Sequence, residues 1–153
     1  MKRFFMVENA PVEFGGIKST YMEVSYLCMS PAVVMVQKGN EFFLGEADNK
    51  DSFEFDVKDL KPISASIYGS LSLAVKQTAV KLIIFEYMLD SGKIIELNKY
   101  EEMNDGRMVA SVSFDSPEEA ALFEIPAWFG KEISTKKEMK KASFSLKNKF
   151  YKK

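Results

Sequence analysis

Residues 125–134 read IPAWFGKEIS. A proline, the chain's only tryptophan and a glycine stand at alternate positions, 126, 128 and 130, and Glu132 and Ser134 continue the alternation. The pattern reads as a docking segment. Pro126 would end the helix before it, Trp128 would plug an apolar opening, and Gly130 would permit a turn. The preceding helix has a clear start at Ser116-Pro117-Glu118-Glu119. Ser116 can cap, Pro117 fits the first turn, and Glu119 completes a capping box.

Upstream of this tail, strand patterns dominate. RFFMV (3–7) is an apolar run too short for the core of a secretion signal, and it reads as a first strand. TYMEVSYLCM (20–29), AVVMVQ (32–37) and EFFLGEA (41–47) follow, the last two joined by a Lys38-Gly39-Asn40 turn. SFEFDV (52–57) alternates, with Phe53, Phe55 and Val57 on one side. Leu60, Ile63, Ile67 and Leu71 then fall at helical spacing and predict a helix within 58–74, weakened by Pro62 and Gly69. QTAVKLIIFEYML (77–89), KIIELNKY (93–100) and RMVASVSF (107–114) return to strand, separated by turns at Asp90-Ser91-Gly92 and Asn104-Asp105-Gly106. Lys136–Leu146 predicts a last short helix. With no repeat or linker, residues 1–153 form a single α+β domain, a long antiparallel meander with helices at its ends.

Composition excludes more than it assigns. There is no histidine, so Ser-His-Asp and Cys-His catalysis and histidine-bearing metal sites are ruled out. A metal site would need oxygen ligands, which suits magnesium, calcium or manganese. A lone cysteine, Cys28, forbids an internal disulfide and predicts a reducing, cytoplasmic home; Cys28 itself reads as a buried apolar residue. No apolar run is long enough to span a membrane. Nine methionines read as adaptable packing. Residues 131–153 hold nine lysines and two glutamates, a local charge of +7. That end is either a solvated face or a contact for an acidic surface. Nineteen lysines against two arginines suggest an AT-rich genome, a viral one among them.

The stretch GRMVASVSFDSPEEAALFEIPAWFGKEIS (106–134) resembles the C-terminal part of the CYTH superfamily, the triphosphate tunnel metalloenzymes. Pro126, Trp128, Gly130, Glu132 and Ser134 match the family's Pro-x-Trp-x-Gly-x-Glu-x-Thr segment, and the order of strands agrees over most of the chain. The resemblance implies an eight-stranded antiparallel, tunnel-like β-barrel with flanking helices. It also implies an interior in which lysines and arginines bind triphosphate and glutamates hold a divalent metal.

The residues that such chemistry needs are largely replaced. The family's opening lysine falls at Phe4. Its paired basic residues fall near Met35 and Gln37, a further lysine near Ala47, and a Lys-x-Arg pair near Gln77 and Ala79. Its last pair of glutamates falls at Ser111 and Ser113, and an expected acid at Asn98. The remaining candidate ligand-binding residues are Lys50, Glu54, Asp56, Lys81 and Glu96. Glu54 and Asp56 read first as a solvated strand face and only then as ligand groups, and Lys81 and Glu96 read also as a cross-strand ion pair. Ser111 and Ser113 lack a base to activate them, and Glu118 and Glu119 read as helix-start acids.

These residues predict a CYTH-like barrel without a catalytic site or resident cofactor. It would act by binding, with a protein as partner and regulation of a host or cellular enzyme as its role. Two alternatives stand beside that reading. One is a binder of a nucleotide or polyphosphate in an altered tunnel. The other is a magnesium- or manganese-dependent triphosphate hydrolase. Met35 and Phe4 are the residues expected to decide whether the tunnel is open or filled.

Overall fold

The computed structural model describes residues 1–10, 18–29, 32–46, 57–75, 80–101 and 106–134. Eight strands follow in chain order: β1 (Lys2–Val7), β2 (Lys18–Met29), β3 (Ala32–Lys38), β4 (Glu41–Glu46), β5 (Lys61–Ile63), β6 (Val80–Met88), β7 (Ile94–Tyr100) and β8 (Met108–Ser113). They form one sheet in the order β1-β8-β7-β6-β2-β3-β4-β5, with every pairing antiparallel. Two helices accompany it, α1 (Ala65–Leu71) and α2 (Pro117–Ala121). Of the expected strand at 52–57 only Val57 is among the described residues, and it opens a 3-10 turn rather than ending a strand; the helix at 136–146 and turn residues Asn104 and Asp105 lie outside them.

Two expectations change. The helix predicted over 58–74 begins only at Ala65, where the Ser64 hydroxyl accepts from Ile67 N–H at 3.1 Å. Pro62, which has no N–H to donate, sits instead in β5, at the sheet's edge, where no ladder donor is required of it. The sheet is also not a closed barrel. β1 and β5 are its two ends, and no pairing joins them among the described residues.

The pairing register separates two faces. Phe4, Met22, Val24, Val34, Val36, Phe43, Leu82, Ile84, Tyr100 and Val109 share one face and a single buried cluster. Val57 of a 3-10 turn (Val57–Asp59), Leu60 and Ile133 pack against this cluster, and Val34, Val36 and Val109 are fully buried in it, as on the concave side of a curled sheet. The outer face of β1, β6, β7 and β8 buries Phe5, Val7, Ile95, Leu97, Ala110 and Val112 beneath Ala120 and Phe129. At an order of 25 cal/mol per Å2 of apolar surface, each of the valine, leucine, isoleucine and phenylalanine side chains contributes about 1.5–3 kcal/mol.

A bulge at Leu27 alters β2. Tyr26 pairs with Val34 but Cys28 pairs with Val33, so β2 carries one residue more than β3. The extra residue moves Cys28 from the inner to the outer side, where it is exposed rather than buried as the sequence suggests.

The tail answers the opening pattern differently from expectation. Residues 130–134 run antiparallel along the free edge of β1 as a strap. Gly130 N–H donates to Met6 O at 2.6 Å, Met6 N–H to Lys131 O at 2.8 Å, and Ile133 N–H to Phe4 O at 2.8 Å. The strap thereby occupies donors and acceptors that an edge strand would otherwise present to another chain. Gly130 is required by close approach, since a Cβ there would lie 2.7 Å from Met6 O. Its φ is not positive, so no turn demands it. α2 has already ended at Ala121, with Leu122 as its cap, so Pro126 does not stop it. Pro126 instead opens a turn in which its carbonyl accepts from Phe129 N–H at 3.0 Å. Trp128 packs on the outer face, edge-on to Tyr87 at 5.7 Å and to Phe129 at 4.7 Å, and does not plug the barrel's end.

Candidate functional site

In this fold the inner face is where a ligand would be enclosed, and the register lays out its residues in rows. The first row runs Lys18, Glu86, Glu96, Ser111 and Phe4 across β2, β6, β7, β8 and β1. The second runs Thr20, Ile84, Asn98, Val109 and Met6. The third contains Lys38, Met22, Leu82 and Tyr100, and the fourth Phe43, Val36, Val24 and Val80. Polar groups are thus gathered at one end, with Lys2 and Ser113 one step beyond the first row. The centre is apolar.

The predicted residues do not form one constellation. Glu96 and Ser111 are neighbours on the inner face. Lys81 lies on the outer face opposite Glu23, so it cannot pair with Glu96 across the β6–β7 ladder. Lys50, Glu54 and Asp56, together with Ala47, Gln77 and Ala79, lie outside the described residues. On β3 the inward positions are Val34 and Val36, one residue removed from the Met35 and Gln37 that the sequence suggested. Phe4 does face inward and helps fill the interior; Met35, also buried, belongs to the other side. Glu86 and Lys18 were missed. Their signal was the alternation of β6 and β2, which places both beside Glu96 once the β6–β7 register is known.

The chemistry of the polar end is limited. Glu86 and Glu96 face each other directly, a repulsive arrangement relieved by Lys18 on one side and the neutral Ser111 on the other. With Lys2 included, that end carries two cations and two anions. Asn98, where a third acid would be expected, is 9% exposed and donates its Nδ2 to Val109 O at 3.1 Å. Its amide nitrogen thus helps to hold β7 and β8 together. Among the described residues, no three His, Cys, Asp or Glu side chains gather into a metal-holding group. Two facing carboxylates supply only part of the oxygen-rich shell of a divalent cation. Tyr100 closes the third row, and burial pushes its hydroxyl pKa well above the usual value.

The outer surface carries a second polar group of residues. Tyr21 donates to Glu23 Oε2 at 2.9 Å, and burial followed by this carboxylate pushes the Tyr21 hydroxyl up to about 12. Tyr68 of α1 stacks on Phe42 at 4.8 Å. Its hydroxyl lies near Ser25 but makes no hydrogen bond of acceptable geometry among the described residues. Burial and the Glu23 charge push it up to about 12.

The tail residues serve structure. Arg3 grips Glu132 with both ends of its guanidinium, Nε to Oε2 at 2.8 Å and Nη2 to Oε1 at 2.6 Å, while Nη1 donates to Ala120 O at 2.8 Å. These bonds hold the Glu132 carboxyl below the usual carboxylate range. The Ser134 hydroxyl accepts from Phe4 N–H at 2.9 Å and donates to Glu132 Oε2 at 2.6 Å. Alternate residues of the motif therefore fasten the strap to β1, and none of them enters the interior.

No protein-family profile matches the sequence, and no curated protein matches it. Solved structures do. Two crystal structures of the protein NE1496, one reported as an inorganic triphosphatase and one as a hypothetical protein, each align with a TM-score of 0.71 and 23% identity. Each alignment covers 95% of this chain, with 93% and 96% of the respective NE1496 chains. An eight-stranded antiparallel sheet with a strapped first strand, matched over nearly the whole length, gives this chain the CYTH-like fold that its tail segment resembles.

Proposed function

We propose that this chain is a non-catalytic CYTH-like protein that works by binding a protein partner. The observation that carries the proposal is the apolar inner face. Val24, Val34, Val36, Leu82 and Ile84 occupy its centre, where gripping a triphosphate would require cations. A charge-assisted hydrogen bond contributes about 1.5–3 kcal/mol, so replacing four or five such donors by hydrocarbon removes most of the affinity for a polyanion. Seating the charges against Val34 and Val36 would add a desolvation cost. Two carboxylates facing each other supply neither the charge nor the coordination to activate water through a metal. The near-neutral polar end also gives little attraction for a nucleotide, which remains the weaker alternative.

The test is hydrolysis of tripolyphosphate with manganese or magnesium, together with thermal unfolding in tripolyphosphate and ATP. The expected result is phosphate release at the uncatalysed rate and no ligand-dependent shift. A ligand at 100 times its dissociation constant would add about 2.7 kcal/mol, so binding would be plain. Metal-dependent release that disappears in Glu96→Gln would overturn the proposal. So would failure of the immobilised chain to retain any protein saturably.

A further inference from the structure

A cleft of about 530 Å3 opens on the outer face, away from the concave side, between the β6–β7 turn and the segment from Glu119 to Trp128. Four aromatic rings line it: Tyr87, Phe114, Phe123 and Trp128. They brace one another, Phe114 against Phe123 at 5.3 Å and Trp128 against Tyr87 at 5.7 Å, so the walls are formed before any ligand arrives. Leu122 and Ile125 line it as well and are 81% and 49% exposed, unusual for side chains of their kind.

Its electrostatics favour a cation. Asp90, Glu119 and Glu124 stand on the lining against a single ammonium, Lys93. That ammonium lies 4.7 Å from the Phe114 ring centroid and 3.2 Å from Glu119 Oε1. The chain thus already seats one cation between an aromatic face and a carboxylate here. Asp90 and Glu124 have no ion-pair partner among the described residues.

We infer that this cleft is a docking site for an extended peptide segment presenting a lysine or arginine beside aliphatic residues. The basic side chain lies along the aromatic wall toward Asp90 and Glu124, and the aliphatic neighbours cover Leu122 and Ile125. This inference takes from the proposed function only that the partner is a protein.

Trp128, the sole tryptophan, reports directly on occupancy. The full chain is titrated with a capped Leu-Lys-Leu-Lys-Leu peptide, followed by tryptophan emission, with Leu-Glu-Leu-Glu-Leu as control. A saturable emission change is expected with the basic peptide alone. At least tenfold weaker binding is expected in the double variant Asp90→Lys, Glu124→Lys. Both positions are exposed, so the variant should melt with the wild type. Glu124→Gln gives a milder second variant should the double one misfold. No saturable change, equal binding of the acidic peptide, or undiminished binding by a folded variant would overturn the inference. Equal retention of a protein partner by wild type and double variant would also overturn it, while leaving the binding role intact.

Discussion

Gly130→Ala tests why the tail has its spacing. The added Cβ would stand 2.7 Å from Met6 O, the atom that accepts the Gly130 N–H at 2.6 Å. Carbon and oxygen do not approach so closely, and the obstacle is backbone within a paired strand, which cannot rotate away. The strap must therefore lift from β1. Three backbone hydrogen bonds join the two, each with a net contribution of about 1 kcal/mol. Partial loosening of buried Ile133 and Phe129 adds to the loss. The sum is roughly 2–4 kcal/mol, or about 5–15 °C in melting temperature for a chain of this size. Circular dichroism and Trp128 emission, recorded on one thermal ramp, measure it. Gly69→Ala is the control. Nothing lies within 4 Å of a Cβ at position 69, which is helical, so the substitution should stabilise by about 0.5–1 kcal/mol. A Gly130→Ala protein melting within about 1 °C of the wild type would refute the close-approach argument.

Leu82→Ala probes the interior: a packed inner face predicts a loss of about 2–5 kcal/mol in urea unfolding, whereas a loss below about 0.5 kcal/mol would mean that water already fills the space. Tyr68→Phe removes a buried hydroxyl lacking a bond among the described residues, and should raise stability by about 1 kcal/mol in the same assay; a marked decrease would reveal a partner for that group. Glu132→Gln should cost about 1 kcal/mol at neutral pH, a modest figure because the carboxylate is partly exposed. The folded carboxyl titrates below the ordinary 4.5, so its contribution is present above that pH and is lost as pH falls through the depressed value. Wild type and variant should accordingly converge in acid, and a constant gap down to the acid limit would contradict the sign. Ser116→Ala should cost about 1 kcal/mol through loss of the 3.1 Å bond from Glu119 N–H, seen as earlier melting.

The fold was legible because its signals were local and mutually consistent. The 116–119 helix start and the turns at Gly39 and Gly92 each follow from the chemistry of a few residues. Facing was harder to read. AVVMVQ is apolar at both parities, so nothing in it says whether Val34 or Met35 turns inward, and both are in fact buried. The bulge at Leu27 has no sequence mark, yet it decides where Cys28 points. Lys81 and Glu96 seemed partners only because the β6–β7 register was unknown. The Met6 carbonyl beside Gly130, like the aromatic cleft, joins residues far apart in sequence and needed the assembled sheet to be seen.

The strap fixes an order of events during synthesis. Phe4, Phe5, Met6 and Val7 leave the ribosome early, but their hydrogen-bonding partners lie on β8 and on residues 130–134. Arg3 meets Glu132 across 129 positions of chain. Contacts of such span are slow to close, and this apolar strand must stay unsated until both of its partner segments have been made. Nascent chains stalled before Glu132 should consequently expose this edge, be sticky and rely on holding chaperones, and β1 locks in only once residues 130–134 can reach it.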